Sequence, residues 1–212
     1  MKLCMFSPRE LDLERGWPGR IEGDRVVQLA AQTLQAFFTG GGSAREHAEY
    51  PLTEVVLRAP VLHPPSIRIF DGDDFSFANP ASIYGPDEMV PLPVGADRVE
   101  PQERLAVVIG AGMIGGFTLL NDWVSPSLSG AKARDFAISL GPVVVTPDEF
   151  AGDDIGGDLN WATLLDHAEL NTRFFPGDVI AGPVRHRGGS VGAGGVVELS
   201  HPVIGSLRND VG

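Results

Sequence analysis

The chain has 212 residues, of which 43% are hydrophobic, and a formal net charge of −12. The length suits one sizeable core, and the acidity argues against nucleic acid or an anionic membrane surface as a partner. One cysteine, Cys4, cannot form an internal disulfide, and neither a signal-peptide pattern nor an apolar run of ~20 residues is found, so a cytoplasmic protein without a membrane span is expected.

The first 60 residues predict short strands and one helix. Residues 2–6 form an apolar strand, and residues 20–29 form a hairpin that turns at Glu-Gly-Asp. Residues 30–38 predict a short helix, which three consecutive glycines end. A further strand is expected at residues 55–57.

The middle of the chain changes character at residue 66. Residues 66–93 combine acids and prolines with scattered aromatic residues and read as loop. Four apolar runs then predict the strands of a buried sheet, at residues 105–109, 117–120, 138–140 and 142–145.

The last third is sparser in regular structure. Residues 153–158 read as a glycine-aspartate loop, and residues 160–168 as an amphipathic helix capped by Asn160. Residues 175–180 predict a turn that enters a strand, and two more strands are expected at 196–199 and 202–205. With no internal repeat and no linker, the sequence predicts one mainly β domain with few helices.

Two adjacent segments resemble the core of the fumarylacetoacetate hydrolase (FAH) family. They are Arg-Leu-Ala-Val-Val-Ile-Gly at residues 104–110 and Gly-Phe-Thr-Leu-Leu-Asn-Asp-Trp at residues 116–123. Residues 79–86, 135–142 and 176–180 are similar to further family segments, in the same order. This resemblance implies a mainly β (α+β) fold, an FAH-type mixed curved β-sheet or β-roll assembly, and a homodimer.

The resemblance also implies a division of the chain within its single domain, residues 1–212. A small N-terminal strand unit is expected at residues 1–58 and the FAH-like core at residues 59–212.

The chain departs from the family at the metal-binding positions. Family members hold a divalent cation with three acidic residues, since hard cations require several charged oxygens. Those positions fall on Gln102, Arg104 and Asp122, of which only Asp122 is acidic. The departure implies no metal and no cofactor, and leaves Asp122 either in a reshaped site or simply paired with Arg104 in the interior.

Other catalytic features differ as well. Arg134 stands where the family carries a lysine that stabilises an enolate, and Lys132 lies two residues earlier. The family lid is shortened to residues 69–77 and has no histidine. Residues 181–184, Ala-Gly-Pro-Val, replace a glycine-threonine motif. These changes together argue against the metal-dependent C–C hydrolysis of the family.

Two smaller features have alternative interpretations. His186 lies in a basic, glycine-rich stretch, residues 185–189, that either binds a carboxylate or is a solvated turn. Residues 110–115 superficially suit a dinucleotide loop, but a strand rather than a helix follows them, so this interpretation is rejected.

Two functions remain open. The first is an enzyme that converts a small carbonyl-rich compound, such as a 2-oxo acid or a β-dicarbonyl or polyketide-like compound, by metal-independent acid/base chemistry: cyclisation, dehydration, isomerisation or decarboxylation. Its catalytic candidates are Asp122, Arg134 and Lys132, and its substrate-binding candidates are Arg104, Phe70, Tyr84, Trp123 and His186. The alternative is an inactive relative that binds a metabolite or partners an intact homologue.

Overall fold

The computed structural model describes residues 1–150, 155 and 159–212. In this part the strands are, in chain order, Lys2–Pro8 (β1), Trp17–Glu22 (β2), Arg25–Leu29 (β3), Glu46–Pro51 (β4), Val55–Arg58 (β5), Ile67–Asp71 (β6), Asp74–Phe77 (β7), Ile83–Tyr84 (β8), Met89–Val90 (β9), Arg98–Val99 (β10), Gln102–Ile109 (β11), Ile114–Asp122 (β12), Ile138–Val145 (β13), Val179–Ala181 (β14), His186–Arg187 (β15), Val191–Gly192 (β16), Val196–His201 (β17) and Gly205–Val211 (β18). The α-helices are Leu34–Thr39 (α1) and Trp161–Glu169 (α2), and 3-10 turns span Leu52–Glu54, Gly130–Ala133 and Pro147–Phe150. Within the described residues, no helix combines the length and the apolar character needed to cross a membrane.

One large mixed sheet dominates the described part of the molecule. Its main path runs β4-β3-β2-β1-β13-β12-β11-β14-β6-β7, and β5, β8 and β15 pair off this path. The pairs β14–β6 and β13–β8 are parallel, whereas the other pairs of this sheet are antiparallel. A second sheet has the order β17-β18-β9, and β10 pairs with β16. The predicted mainly β fold with few helices is confirmed.

The central strands β11, β12 and β13 are buried on both faces. On β11, Leu105, Val107 and Ile109 pack into one hydrophobic cluster, while Ala106 and Val108 pack into a second cluster on the opposite face. Because side chains alternate across a strand, a strand buried on both faces reads as a continuous apolar run. This is why the sequence alone located these strands.

The predicted elements of the N-terminal part are largely confirmed. The first strand and the hairpin of β2 and β3 are present, although α1 begins at Leu34 rather than residue 30, because Thr33 caps it by accepting a hydrogen bond from the amide of Ala36. The predicted unit 1–58 is joined to the rest of the sheet, since β1 pairs with β13. Its status as a separate unit stays a prediction.

The prediction of loop for residues 66–93 was wrong. This stretch holds β6 and β7, which form a hairpin, and the short strands β8 and β9. The hairpin turns through Gly72, which supplies a φ of +73° that other residues rarely adopt. We call residues 67–77, which comprise β6, β7 and their turn, the lid hairpin.

Predictions for the second half of the chain are mixed. Helix α2 is confirmed, and the side chain of Asn160 accepts a hydrogen bond from the Thr163 amide at 3.3 Å. The two strands expected at 138–140 and 142–145 are one strand, β13, which continues through a cis Gly141–Pro142 bond. Residues 202–204 form the turn between β17 and β18 rather than part of a strand. The loop predicted at residues 153–158 lies, apart from Ile155, outside the described residues.

Strand topology brings the candidate site residues to one end of the sheet. Strands β11 and β12 are antiparallel, so the beginning of β11 lies beside the end of β12, and Arg104 faces Leu120 in the register. Asp122, the last residue of β12, pairs in turn with Ile138 at the beginning of β13. The connection between β12 and β13 carries Arg134 back over the same end.

Candidate active site

Arg104 is the centre of the candidate site. Its side chain is 0% exposed. One terminal nitrogen, Nη1, donates hydrogen bonds to the backbone carbonyls of Phe70 at 2.7 Å and Gly182 at 3.0 Å. Nε donates to Oδ2 of Asp122 at 3.2 Å. A buried charge of this kind is tolerated only when it is both paired and hydrogen-bonded, and both conditions are met here.

The carboxylate of Asp122 accepts hydrogen bonds from two arginines. It is 1% exposed, and its Oδ2 lies 3.1 Å from Nη2 of Arg104 and 2.6 Å from Nη2 of Arg134. The pairing of Asp122 with Arg104, one of the two interpretations of the sequence, is therefore present. The contact with Arg134 adds a second, partly exposed cation, whose side chain is 38% exposed.

Two further polar residues complete the group. Asp71, at the end of β6, places Oδ1 at 2.9 Å from Nη2 of Arg104 and Oδ2 at 3.6 Å from Nη1 of Arg134. Gln102 accepts a hydrogen bond from Arg134 Nη2 at 2.9 Å. We call Gln102, Arg104, Asp122, Arg134 and Asp71 the arginine cluster. Two guanidinium groups and two carboxylates give this cluster a formal charge of zero.

Sequence reasoning missed Asp71, because the lid was read as loop. The signal was available: an acid that directly ends an apolar run and precedes a glycine sits at the tip of a hairpin. Its partner Arg104, however, is 33 residues away in the chain and its partner Arg134 is farther still, and no sequence spacing pointed to either.

A pocket of about 210 Å³ adjoins the arginine cluster. Asp122 and Arg134 contribute to its wall, and its other lining residues are Ile69, Ser76, Phe77, Ala78, Asn79, Gly130, Ala131 and Asp135. A larger cavity, about 340 Å³, lies at the opposite ends of β11 and β12. Among the described residues that line it there is no ionisable side chain, whereas the smaller pocket is lined by Asp122 and Arg134 of the arginine cluster and is therefore the candidate for chemistry.

Two predicted substrate-binding residues belong to the protein interior. Phe70 is fully buried, and its ring packs 5.4 Å from that of Phe75; it reaches the site only through its carbonyl, which accepts from Arg104. Trp123 is also fully buried, and its Nε1 donates to Oγ of Ser139 at 2.9 Å. Neither side chain lines the pocket in the described part of the chain.

The remaining candidates lie around the site rather than in it. Lys132 is 80% exposed, and its Nζ pairs at 2.7 Å with Asp135, which lines the pocket. Tyr84, on β8, is half-buried, and this burial raises the pKa of its phenol, with a smaller contribution from Glu88. His186 is exposed on β15, opposite Glu103 of β11. Neither Tyr84 nor His186 is among the described residues that line the pocket.

Comparison with known proteins identifies the fold. No family model matches the sequence, and no curated protein matches it. Solved structures do match: maleylpyruvate hydrolase from Sphingobium sp. SYK-6 has a TM-score of 0.79 at 23% identity, over 100% of this chain and 99% of that one. 5-Carboxymethyl-2-hydroxymuconate delta-isomerase from Mycobacterium smegmatis has a TM-score of 0.75 at 22% identity, over 100% and 99%. 2-Keto-3-deoxy-D-arabinonate dehydratase has a TM-score of 0.79 at 15% identity, over 100% and 98%.

These neighbours belong to the fumarylacetoacetate hydrolase family. The chain has the FAH fold. The fold expected from the sequence motifs is thus confirmed. Because the sequence identities are low, the comparison shows the fold alone and no shared activity.

The arginine cluster can be tested for its fit to a divalent metal, since two of the neighbours have been solved with one. The hydrolase has been solved in complex with manganese(II) and pyruvate, and the dehydratase with magnesium and 2,5-dioxopentanoate. In the described part of this chain, no group of three or more His, Cys, Asp or Glu side chains is arranged to hold a metal ion. A cation placed against Asp122 would also meet the guanidinium groups of Arg104 and Arg134. These side chains do not fit a divalent cation.

Proposed function

We propose that this chain is an FAH-fold enzyme that acts on a small carbonyl-rich compound, a 2-oxo acid or a β-dicarbonyl, by metal-independent acid/base chemistry. The observation that carries the proposal is the pair formed by Asp122 and Arg134 on the wall of the 210 Å³ pocket, 2.6 Å apart. A carboxylate and a guanidinium side by side can accept a proton and hold the resulting negative charge.

The guanidinium of Arg134 suits an anionic substrate oxygen. It is partly exposed, it lines the pocket, and its Nη2 is fixed by Asp122 and by Gln102. A fixed guanidinium offers planar, charge-assisted hydrogen bonds to a carboxylate or an enolate. Because its orientation is set before the substrate arrives, it stabilises charge without reorganising during the reaction.

Asp122 has one oxygen available for proton transfer. Oδ2 receives both arginines, whereas no hydrogen bond in the described part of the chain uses Oδ1. We assign Oδ1 the role of taking the proton from the carbon next to the substrate carbonyl. The electron pair of that C–H bond becomes a C–C double bond, and the π electrons of the carbonyl move onto its oxygen, which Arg134 stabilises as an enolate. Return of the proton from Asp122 to another carbon completes an isomerisation, and its transfer to a departing hydroxyl group, which leaves as water, completes a dehydration.

Lys132 has a subordinate role in this proposal. It is on the surface and paired with Asp135 at the pocket wall, so it contributes positive charge near the entrance rather than contact with the reacting atoms. Such a charge favours the approach of an anionic substrate and is weakened by salt.

The second candidate, a binding protein without turnover, also has a specific observation in its favour. The guanidinium of Arg104 is paired or hydrogen-bonded on all three of its nitrogens, and Oδ2 of Asp122 contacts two cations. With Asp71, the arginine cluster has a net charge of zero. A closed ion-pair network of this kind is also suited to positioning a ligand or maintaining the fold without any turnover. It would suit a metabolite-binding subunit or a partner of an intact homologue.

Deuterium exchange separates the two candidates. Pyruvate is incubated with the protein in D₂O that contains EDTA, and loss of its methyl proton signal is followed by NMR. Proton abstraction by Asp122 and redelivery from solvent replace these protons with deuterium, whatever the later steps of the natural reaction are. We expect exchange above the buffer rate with the unaltered protein, and its loss with Asp122→Asn.

Asp166→Asn is the matched control, because Asp166 is exposed on α2 and, among the described residues, neither lines the pocket nor forms a side-chain hydrogen bond or ion pair. Saturable binding of pyruvate without exchange would favour the binding protein. If neither exchange nor binding is found with a panel of 2-oxo acids and β-dicarbonyls, the pocket does not take this class of compound.

A further inference from the structure

We propose that Asp71 is a built-in anion that occupies the carboxylate seat of the substrate, between Arg104 and Arg134, and that a carboxylate-bearing substrate displaces it. This inference rests on the function proposed above and narrows its substrate class to compounds that carry one free carboxylate at this position. The lid hairpin, which carries Asp71, then blocks this position until a substrate carboxylate displaces it.

Asp71 makes the contacts that a substrate carboxylate would make. Its Oδ1 lies 2.9 Å from Nη2 of Arg104, and its Oδ2 lies 3.6 Å from Nη1 of Arg134, so one carboxylate bridges two guanidinium groups. Guanidinium groups form strong charge-assisted contacts with carboxylates, so a substrate carboxylate could make the same two contacts. Arg134 also lines the pocket, so the seat and the pocket share a wall.

The two carboxylates of the arginine cluster differ in how firmly they are held. Asp122 is 1% exposed and lies within β12, which is paired on both sides. Asp71 is 50% exposed and ends β6, next to the turn of the lid hairpin. An ion pair that is half open to water contributes little to stability, whereas a buried one cannot be separated without a large cost. Asp71 is therefore the member that can leave.

The tip of the lid hairpin can move while the central strands of the sheet stay paired, and this movement breaks the surface contacts of Asp74 and Phe75 with His167 of α2. Its outer strand, β7, is the last strand of the main path, and among the described strands only β6 pairs with it. Gly72 gives the turn backbone freedom immediately after Asp71. Outward movement of the hairpin tip would take the carboxylate off the arginines while β6 keeps its pairing with β14.

Charge balance specifies the ligand. With Asp71 in place, the cluster holds two positive and two negative groups and has a net charge of zero. When Asp71 leaves, Asp122 alone faces two guanidinium groups, and one positive charge is uncompensated. A single carboxylate restores neutrality, whereas an uncharged ketone leaves a largely buried cation unpaired, which is unfavourable. The seat therefore selects monocarboxylates, such as 2-oxo acids, over neutral carbonyl compounds.

The test is a binding measurement with pyruvate as the probe and its neutral methyl ester as the matched ligand. Asp71→Asn removes the competing charge but keeps the size of the side chain. Asp73→Asn is the control, because Asp73 lies in the same turn and, within the described part of the chain, forms no side-chain hydrogen bond or ion pair. Calorimetry or NMR titration gives the dissociation constants without any need for turnover.

We expect Asp71→Asn to bind pyruvate on the order of 10-fold more tightly. In the unaltered protein, the binding-competent state forms only after the Asp71 carboxylate has left the two arginines, and this requirement lowers the apparent affinity. Asp73→Asn should bind pyruvate as the unaltered protein does, and methyl pyruvate should show no gain with either variant. Hydrogen exchange of residues 67–77 should increase when pyruvate is added to the unaltered protein.

Equal affinities of Asp71→Asn and Asp73→Asn for pyruvate would overturn the inference, as would the failure of all three proteins to bind it. These results remain separable from the proposed function. Tighter binding by Asp71→Asn without deuterium exchange in any protein supports the seat and contradicts the enzyme. Exchange by the unaltered protein with unchanged affinity in Asp71→Asn supports the enzyme and contradicts the seat.

Discussion

Oδ2 of Asp122 lies 3.1 Å from Nη2 of Arg104, on the neighbouring antiparallel strand. Both side chains are almost completely buried, and the resemblance of the sequence motifs to the FAH family aligns both positions with metal-binding acids. A fixed guanidinium thus stands beside a buried acid. The pair determines what can bind at this end of the sheet and how the protein should respond to metals, substitutions and pH.

The first prediction concerns divalent metals. Millimolar Mg²⁺ or Mn²⁺ should leave the melting temperature unchanged, because stabilisation by a ligand follows RT ln(1 + [L]/Kd) and two guanidinium groups oppose a cation at Asp122. EDTA should likewise leave any activity intact. Differential scanning calorimetry with and without metal measures the first effect.

A double variant provides the positive control for this measurement. Gln102→Glu combined with Arg104→Glu would give this end of the sheet four carboxylates, together with Asp71 and Asp122. We expect this variant to gain metal-dependent stabilisation, about 2.7 kcal/mol when the metal is at 100 times its Kd. Stabilisation of the unaltered protein that is abolished by Asp122→Ala would mean that other ligands have rebuilt a metal site.

The second prediction concerns the two residues of the proposed chemistry. Asp122→Asn should reduce the rate on the true substrate by on the order of 10²-fold or more, the scale of a positioned acid or base. Arg134→Ala should weaken turnover of an anionic or enolate-forming substrate, while His167→Ala should have little effect. Full activity of both Asp122→Asn and Arg134→Ala would show that the chemistry lies elsewhere.

The third prediction concerns stability at the same position. Asp122→Ala leaves Arg104 buried without its main partner, and breaking a buried pair in this way costs about 3–5 kcal/mol. Asp73→Ala, an exposed aspartate in the lid hairpin, should change the unfolding free energy by at most ~0.5 kcal/mol. Urea unfolding followed by circular dichroism measures both, and equal losses in the two variants would contradict the prediction.

The fourth prediction concerns pH and His201. Burial lowers the pKa of His201 below its usual value of 6.5, with a smaller contribution from the positive charge of Arg185. The unfolded chain therefore takes up the proton at a higher pH than the folded protein does. The corresponding stability is fully present above about pH 6.5 and is lost as the pH falls through the folded-state pKa.

His201→Asn isolates this effect. The neutral His201 ring accepts hydrogen bonds at Nδ1 from the amides of Val203 and Ile204, and an asparagine oxygen can take over this role without titrating. The unfolding free energy of the unaltered protein should fall relative to that of His201→Asn between pH 7 and pH 5. Parallel pH profiles for the two proteins would count against the assignment.

The fifth prediction concerns assembly. We expect a homodimer, because the shortened lid leaves apolar surface exposed, including Phe77, which is 69% exposed. Light scattering at micromolar concentration should give twice the chain mass of 22.5 kDa. Phe77→Ser should shift the protein towards the monomer, whereas Val94→Ser, an exposed apolar residue outside the lid hairpin, should not. A monomer mass for the unaltered protein would contradict the expectation.

The sequence by itself determined the central sheet and the fold. The runs at 105–109 and 117–120 are apolar without alternation because both faces of β11 and β12 are buried, and this pattern is local. The cap of α2 was equally readable, since Asn160 bonds to an amide three residues away. The order of the motifs along the chain then indicated the FAH fold, which the structural neighbours bear out.

The tertiary structure alone decided how the site is composed. Asp71 meets Arg104 and Arg134 only because β6 joins the sheet beside β14, a parallel pairing between segments more than 100 residues apart that no local pattern encodes. Phe70 and Trp123 were expected to bind substrate because they fall where the family resemblance puts the pocket, yet both are in the interior. An aromatic residue carries the same apolar signal whether it lines a pocket or fills a core, and only the packing of neighbouring strands distinguishes the two.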